Sequence, residues 1–145
     1  MFDFFKRKYI HSFYLPPEMY DKLTEINKKQ LGEFLLTKID FYKINLKKIS
    51  DKLYYINIYF LSENELKRFK TFLLSFKELF PPWIAFPSMF QGSPRWNQGY
   101  QEHYCNNYWI PFWKELTALQ KEDYMIKYNC PADWKEWLIE NENNI

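Results

Sequence analysis

Glycine is scarce, with three in 145 residues. A phosphate-cradling loop needs clustered glycines so that backbone amides can close on the anion, and neither GxxxxGK[ST] nor GxGxxG occurs. Cys105 and Cys130 are the only cysteines, and His11 and His103 the only histidines. They are too few and too widely spaced for a zinc ribbon or a disulfide framework. Two free, partly buried thiols in a reducing compartment are expected instead. No run approaches the roughly 18 apolar residues of a membrane span. The opening Met-Phe-Asp-Phe-Phe-Lys-Arg-Lys has neither the apolar core nor the small-residue cleavage site of a signal peptide. A cytoplasmic protein without a membrane partner is therefore expected, with residues 1–8 read as a frayed or docked terminus.

What the chain has in abundance is aromatic residues, 22% of the total, including six Trp and twelve Tyr. The richest stretch runs from Pro94 to Trp137 and interleaves Trp96, Tyr100, Tyr104, Tyr108, Trp109, Phe112, Trp113, Tyr124, Tyr128 and Trp134 with Arg95, Gly99, Glu102 and His103. Charge is small in sum and uneven in place. Residues 1–80 hold 15 Lys/Arg against 10 Asp/Glu, and residues 81–145 hold 5 against 8. A basic first half attracts phosphate; an acidic, aromatic second half suits a cationic protein.

The expected fold is α+β, a single domain over 1–145 with a scaffold at 1–80 and an aromatic helical region at 81–140. Residues 9–15 are rich in strand formers and read as a short extended segment. Pro16-Pro17 opens a helix predicted over 17–31, with Met19, Leu23, Ile26 and Leu31 on one stripe and an end near Gly32. From Glu33 the period changes to two, and two or three antiparallel strands are predicted within 33–61, with edge strands beyond. Ser62 and Glu65 form a capping-box signature before Leu66, Phe69, Leu73, Phe76 and Phe80, which predicts a helix ending before Pro81-Pro82. Trp83 to Pro87 reads as a last short strand or a buried loop. The C-terminal helices are divided by Pro111, by Leu116-Thr117 and by Asn129-Cys130-Pro131, with Thr117 and Gln120 a second capping box.

Catalytic signals are sparse. Glu102, His103 and Cys105 invite a metal or nucleophile reading, but on a helix adjacent residues point about 100° apart and i, i+2 positions lie on different faces. A zinc site would need Cys130 as well, and no paired carboxylates are visible. The expectation is no enzyme, no cofactor and no metal ion. Gly99 and Glu102 fall on one helical face, with Tyr100, Tyr104 and Tyr108 on a neighbouring one. Aromatics so spaced either fill a core, with Glu102 a partly buried ion-pair partner, or form an aromatic-plus-carboxylate recognition surface.

The last 60 or so residues resemble a family of small bacterial proteins whose pattern runs Pro-Pro-Trp, Phe-Pro, Trp-x-x-Gly-x-x-Glu-x-Tyr, further aromatics, and Pro-x-x-Trp. The matching positions are Pro81, Pro82, Trp83, Phe86, Pro87, Trp96, Gly99, Glu102, Tyr104, Trp109, Leu116, Tyr124, Tyr128, Pro131 and Trp134. Asn97 and Gln101 depart from the Arg and Gly usual in that pattern. The resemblance is to immunity proteins of contact-dependent growth inhibition, and implies a chain that binds a cognate toxin domain and occludes its working surface. The contact set expected for that partner is Arg95, Trp96, Gly99, Glu102, Tyr104, Trp109, Glu115, Glu122 and Asp123. The alternative is a nucleic-acid-binding or regulatory module that uses Lys43, Lys47 and Lys48, or Lys67, Arg68 and Lys70, with nearby tyrosines for stacking.

Overall fold

The structure is a computed structural model that describes residues 9–89 and 99–143. Arg95 and Trp96 lie outside the described residues. The fold is α+β, as expected, and the chain divides into two compact units, Met1–Glu78 and Leu79–Ile145. Each is described by itself.

The first unit is built on a three-stranded antiparallel sheet in the order β1-β3-β2. Its strands are β1 (Ile10–Tyr14), β2 (Lys43–Lys48) and β3 (Tyr54–Tyr59). On the central strand Tyr54, Ile56 and Ile58 are buried and Tyr55, Asn57 and Tyr59 half-buried, the alternation a pleated strand imposes. Phe13 lies opposite Ile56, and Ile44 opposite Ile58, so the three strands present one continuous apolar face. Helices α1 (Pro17–Tyr20), α2 (Lys28–Leu36) and α3 (Glu63–Leu73) accompany the sheet. Met19, Leu31, Leu35 and Phe69 join the strand residues in one cluster.

Three boundaries differ from expectation. The predicted 17–31 helix is two, because Asn27 turns its side chain onto the Gln30 amide at 2.8 Å and starts α2 afresh. Gly32, expected as a stop, is buried inside α2; a Cβ there would stand 3.9 Å from the Phe41 ring. The period-two pattern assigned from Glu33 onward is therefore helical as far as Leu36, and the strand begins at Lys43. Helix α3 is also shorter than predicted and ends at Leu73. Beyond it Ser75 and Phe76 donate to Phe72 and Leu73 in i→i+3 turns, and the Ser75 hydroxyl takes the Phe72 carbonyl at 2.7 Å, competing with helical continuation. Ser62 accepts the Glu65 amide as expected, while the Glu65 carboxylate meets Arg68 at 3.5 Å.

His11 on β1 lies within 6.2 Å of the Phe13 ring and 6.0 Å of the Phe69 ring. Burial, and then the nearby Lys70 charge, hold its pKa below the ordinary 6.5. The folded state thus prefers neutral imidazole. Its contribution to stability is complete above 6.5 and is lost as pH falls through the lower, folded value. The expected result is a melting temperature that drops more steeply below pH 6.5 in the parent protein than in His11→Phe. Equal slopes in thermal melts between pH 7 and 5 would contradict this.

The second unit holds α4 (Pro82–Ala85), α5 (Gly99–Tyr104), a π-helical turn (Cys105–Trp109), α6 (Ile110–Glu115), α7 (Ala118–Lys127) and α8 (Ala132–Glu140). The short strand or loop expected around Trp83 is the helical turn α4, with proline in its first turn. Pro111 does not break the helical path. It has no N–H to donate and its ring would press on the carbonyl four residues back. The turn widens before it, with Ile110 N–H reaching Cys105 O in an i→i+5 bond. Thr117 and Gln120 form the full reciprocal capping box of α7. Asn129 sits at φ +50°, and Cys130 N–H reaches Met125 O while Asn129 N–H reaches Ile126 O. That pairing closes α7 as a Schellman motif, with asparagine in the left-handed position, and Pro131 then starts α8.

Candidate functional site

In the second unit the larger share of the described aromatic side chains is buried. Trp83, Trp109, Trp113, Tyr104, Tyr124 and Trp134 are all buried. Trp109 stacks on Trp113 with centroids 5.3 Å apart and meets Trp83 edge-on at 6.1 Å, and Trp83 contacts Trp134 at 5.6 Å. The polar handles of four of them are satisfied inside: Trp109 Nε1 donates to the Tyr124 hydroxyl at 3.1 Å, which donates to Leu79 O. Trp83 Nε1 donates to Tyr128 O at 2.9 Å, and the Tyr104 hydroxyl donates to Phe80 O. A ring that is buried and fully hydrogen-bonded offers a partner no surface. Tyr104 and Trp109, expected as contact residues, are corrected to core.

The charged candidates are outside. Glu102, Glu115, Glu122 and Asp123 are exposed. Glu102 is thus neither buried nor half-buried, as its ion-pair reading required. Gly99 is exposed at φ +54°, with nothing within 4 Å of where a Cβ would stand; its use is backbone conformation at the start of α5 rather than close approach of a ring. Cys105 is free and buried, and Cys130 free and half-buried. Desolvation pushes their thiols up to about 12 and about 11, which keeps both protonated at neutral pH. Among the described residues no group of three His, Cys, Asp or Glu could hold a metal ion, and no helix is long and apolar enough to cross a membrane.

The structure adds residues that sequence reasoning passed over. On α7, Tyr124 and Met125 face inward, while Leu119 and Ile126 are 72% and 71% exposed. Seven residues apart, these two sit within about 20° of each other on the helix, with Tyr124 about 140° from Leu119. Glu122 and Asp123 lie between them along the same outer face. On α8, Ile139 is 59% exposed. It shares with Ala118 and Glu122 the wall of a groove of about 190 Å³ whose floor is Trp113, Met125 and Leu138. Lys121, Glu122 and Glu142 supply its polar edge.

That edge is loosely tied. Lys121 Nζ lies 3.7 Å from Glu142 and 5.3 Å from the Trp113 ring centroid, and Glu122 meets Lys135 at 3.7 Å. The Glu122–Lys135 pair is exposed on both sides and contributes at most about 1 kcal/mol. A partner cation can displace it at little cost. From residue 114 onward the sequence carries seven carboxylates against four lysines, so the surroundings favour such a cation. The wheel of α7 held the missed signal, because its apolar residues occupy two opposed faces and one core can use only one of them.

No family model matches the chain, and no curated protein or solved structure is significantly similar to it.

Proposed function

We propose that the protein is a cytoplasmic, non-enzymatic inhibitor that binds a basic toxin domain through the outer face of α7 and α8 and blocks its working surface. The observation that carries this reading is the exposed row Leu119–Ile126 with Glu122 and Asp123 set between its ends. Single exposed leucines need no explanation. Two exposed aliphatic side chains on the outer face of α7, together with Ile139 at an apolar-floored groove edged with acid, match the anatomy of an interface core with a polar rim. The groove accepts a lysine or arginine side chain, its stem over Met125 and Ile139 and its charge at Glu122 or Glu142. The toxin assignment rests on the resemblance of the Trp-x-x-Gly-x-x-Glu-x-Tyr region to immunity proteins.

The test is co-expression with the product of the adjacent gene, followed by affinity capture. Growth rescue and a complex that survives elevated salt are expected. A chain that rescues no growth and captures no neighbouring gene product would overturn the reading.

A further inference from the structure

The groove beside α7 already holds a cation of its own. Lys121 Nζ lies over the Trp113 ring, 5.3 Å from its centroid, and 3.7 Å from a Glu142 oxygen. Its side chain is 17% exposed, low for a lysine at the edge of a surface groove. Three elements make this seat: Trp113 on α6, Lys121 near the start of α7, and Glu142 just past the end of α8. The last turn of α8 carries no basic residue, so the negative end of that helix favours a cation brought from elsewhere. About 190 Å³ stay open beside Lys121, bordered by Met125, Leu138 and Ile139. An aromatic floor, aliphatic walls and a carboxylate rim are what a cation on an apolar stem requires.

We propose that Lys121 is a placeholder in an arginine-binding site, and that an arginine side chain of the protein partner displaces it. This rests on the reading that the groove meets that partner. The resident contact is poorly made: at 3.7 Å the ammonium stands outside the roughly 2.7–2.9 Å of a charge-assisted hydrogen bond. A guanidinium does better in the same seat. It is flat, lies face-on against an indole, and forks two N–H groups onto one carboxylate. Its stem covers Met125 and Ile139, while the ammonium of Lys121, strongly hydrated, swings to water. One cation replaces another, so the charge balance of the groove is kept. A partner lysine gains nothing by this exchange, and an apolar side chain leaves Lys121 where it is. Lys121 is thus an internal competitor, which lowers apparent affinity by the fraction of time the seat is free.

The experiment is methyl NMR of the full chain titrated, at fixed ionic strength, with the blocked amino acids N-acetyl-arginine, N-acetyl-lysine and N-acetyl-norleucine methylamide. The Met125 and Ile139 methyl signals should move with the arginine probe, and its affinity should exceed that of the lysine probe by at least about fivefold. Lys121→Ala removes the competitor and should tighten the arginine probe by about threefold or more. Lys121→Arg keeps the charge but fills the seat with a better resident, and should weaken the same probe below the parent. That opposition separates displacement from a general change of charge. Both variants should melt near the parent temperature. No methyl shift at tens of millimolar arginine probe, equal response to lysine or norleucine, or failure of the two Lys121 variants to move affinity in opposite directions would each overturn the proposal. The probes require no partner, so such a failure leaves the inhibitor reading to its own co-expression test. A positive titration with no captured gene product would remove that reading and keep the arginine site.

Discussion

Replacing Trp109 with alanine should unfold most of the second unit's stability, costing about 3–5 kcal/mol. The side chain is fully buried, stacks on Trp113 and meets Trp83 edge-on. Its removal leaves a large cavity and takes the donor from the Tyr124 hydroxyl. Tyr124→Phe isolates the polar part of that loss. One oxygen disappears, yet both the Trp109 N–H and the Leu79 carbonyl lose a partner, and about 1–3 kcal/mol is expected because an orphaned buried group costs its desolvation. Chemical denaturation followed by tryptophan fluorescence separates the two. A Trp109→Ala loss smaller than that of Tyr124→Phe would show that packing does not dominate this core.

The second large effect is on binding and should leave stability alone. Leu119→Ala/Ile126→Ala removes two side chains that are 72% and 71% exposed, so the melting temperature should stay near that of the parent. If both are anchors of the partner interface, each truncation costs about 2 kcal/mol of affinity, and together the loss is at least about a hundredfold. Leu74→Ala, equally exposed at 72% on the first unit, is the control and should change nothing. Glu122→Lys/Asp123→Lys should act differently, slowing association at low salt more than it speeds dissociation.

Short-range chemistry was legible before the fold was. The Thr117/Gln120 box, the Pro16-Pro17 helix start and the strand-forming residues within 33–61 each depend on neighbours a few positions away, and the box, the start and strands at 43–48 and 54–59 stand in the structure. Gly32 and Pro111 were misjudged because tertiary packing overrode propensity. A buried face of α2 holds Gly32 in helix, and a widened turn absorbs Pro111. The candidate site was legible only in its charges. Periodicity shows that Tyr104, Trp109 and Tyr124 share a helical environment, not whether the face they occupy is inner or outer. Their N–H and O–H groups found partners at Phe80, Tyr124 and Leu79, which placed them inside. The surface role then passes to Leu119, Ile126 and Ile139, aliphatic residues with no chemical signature to draw attention.

Amide hydrogen exchange of the full chain, with and without the product of the adjacent gene, tests the account most directly. Slowed exchange concentrated in residues 118–142, with the strands at 43–48 and 54–59 unchanged, is the predicted result. Protection centred on the strands, with 118–142 exchanging as in the free protein, would contradict it.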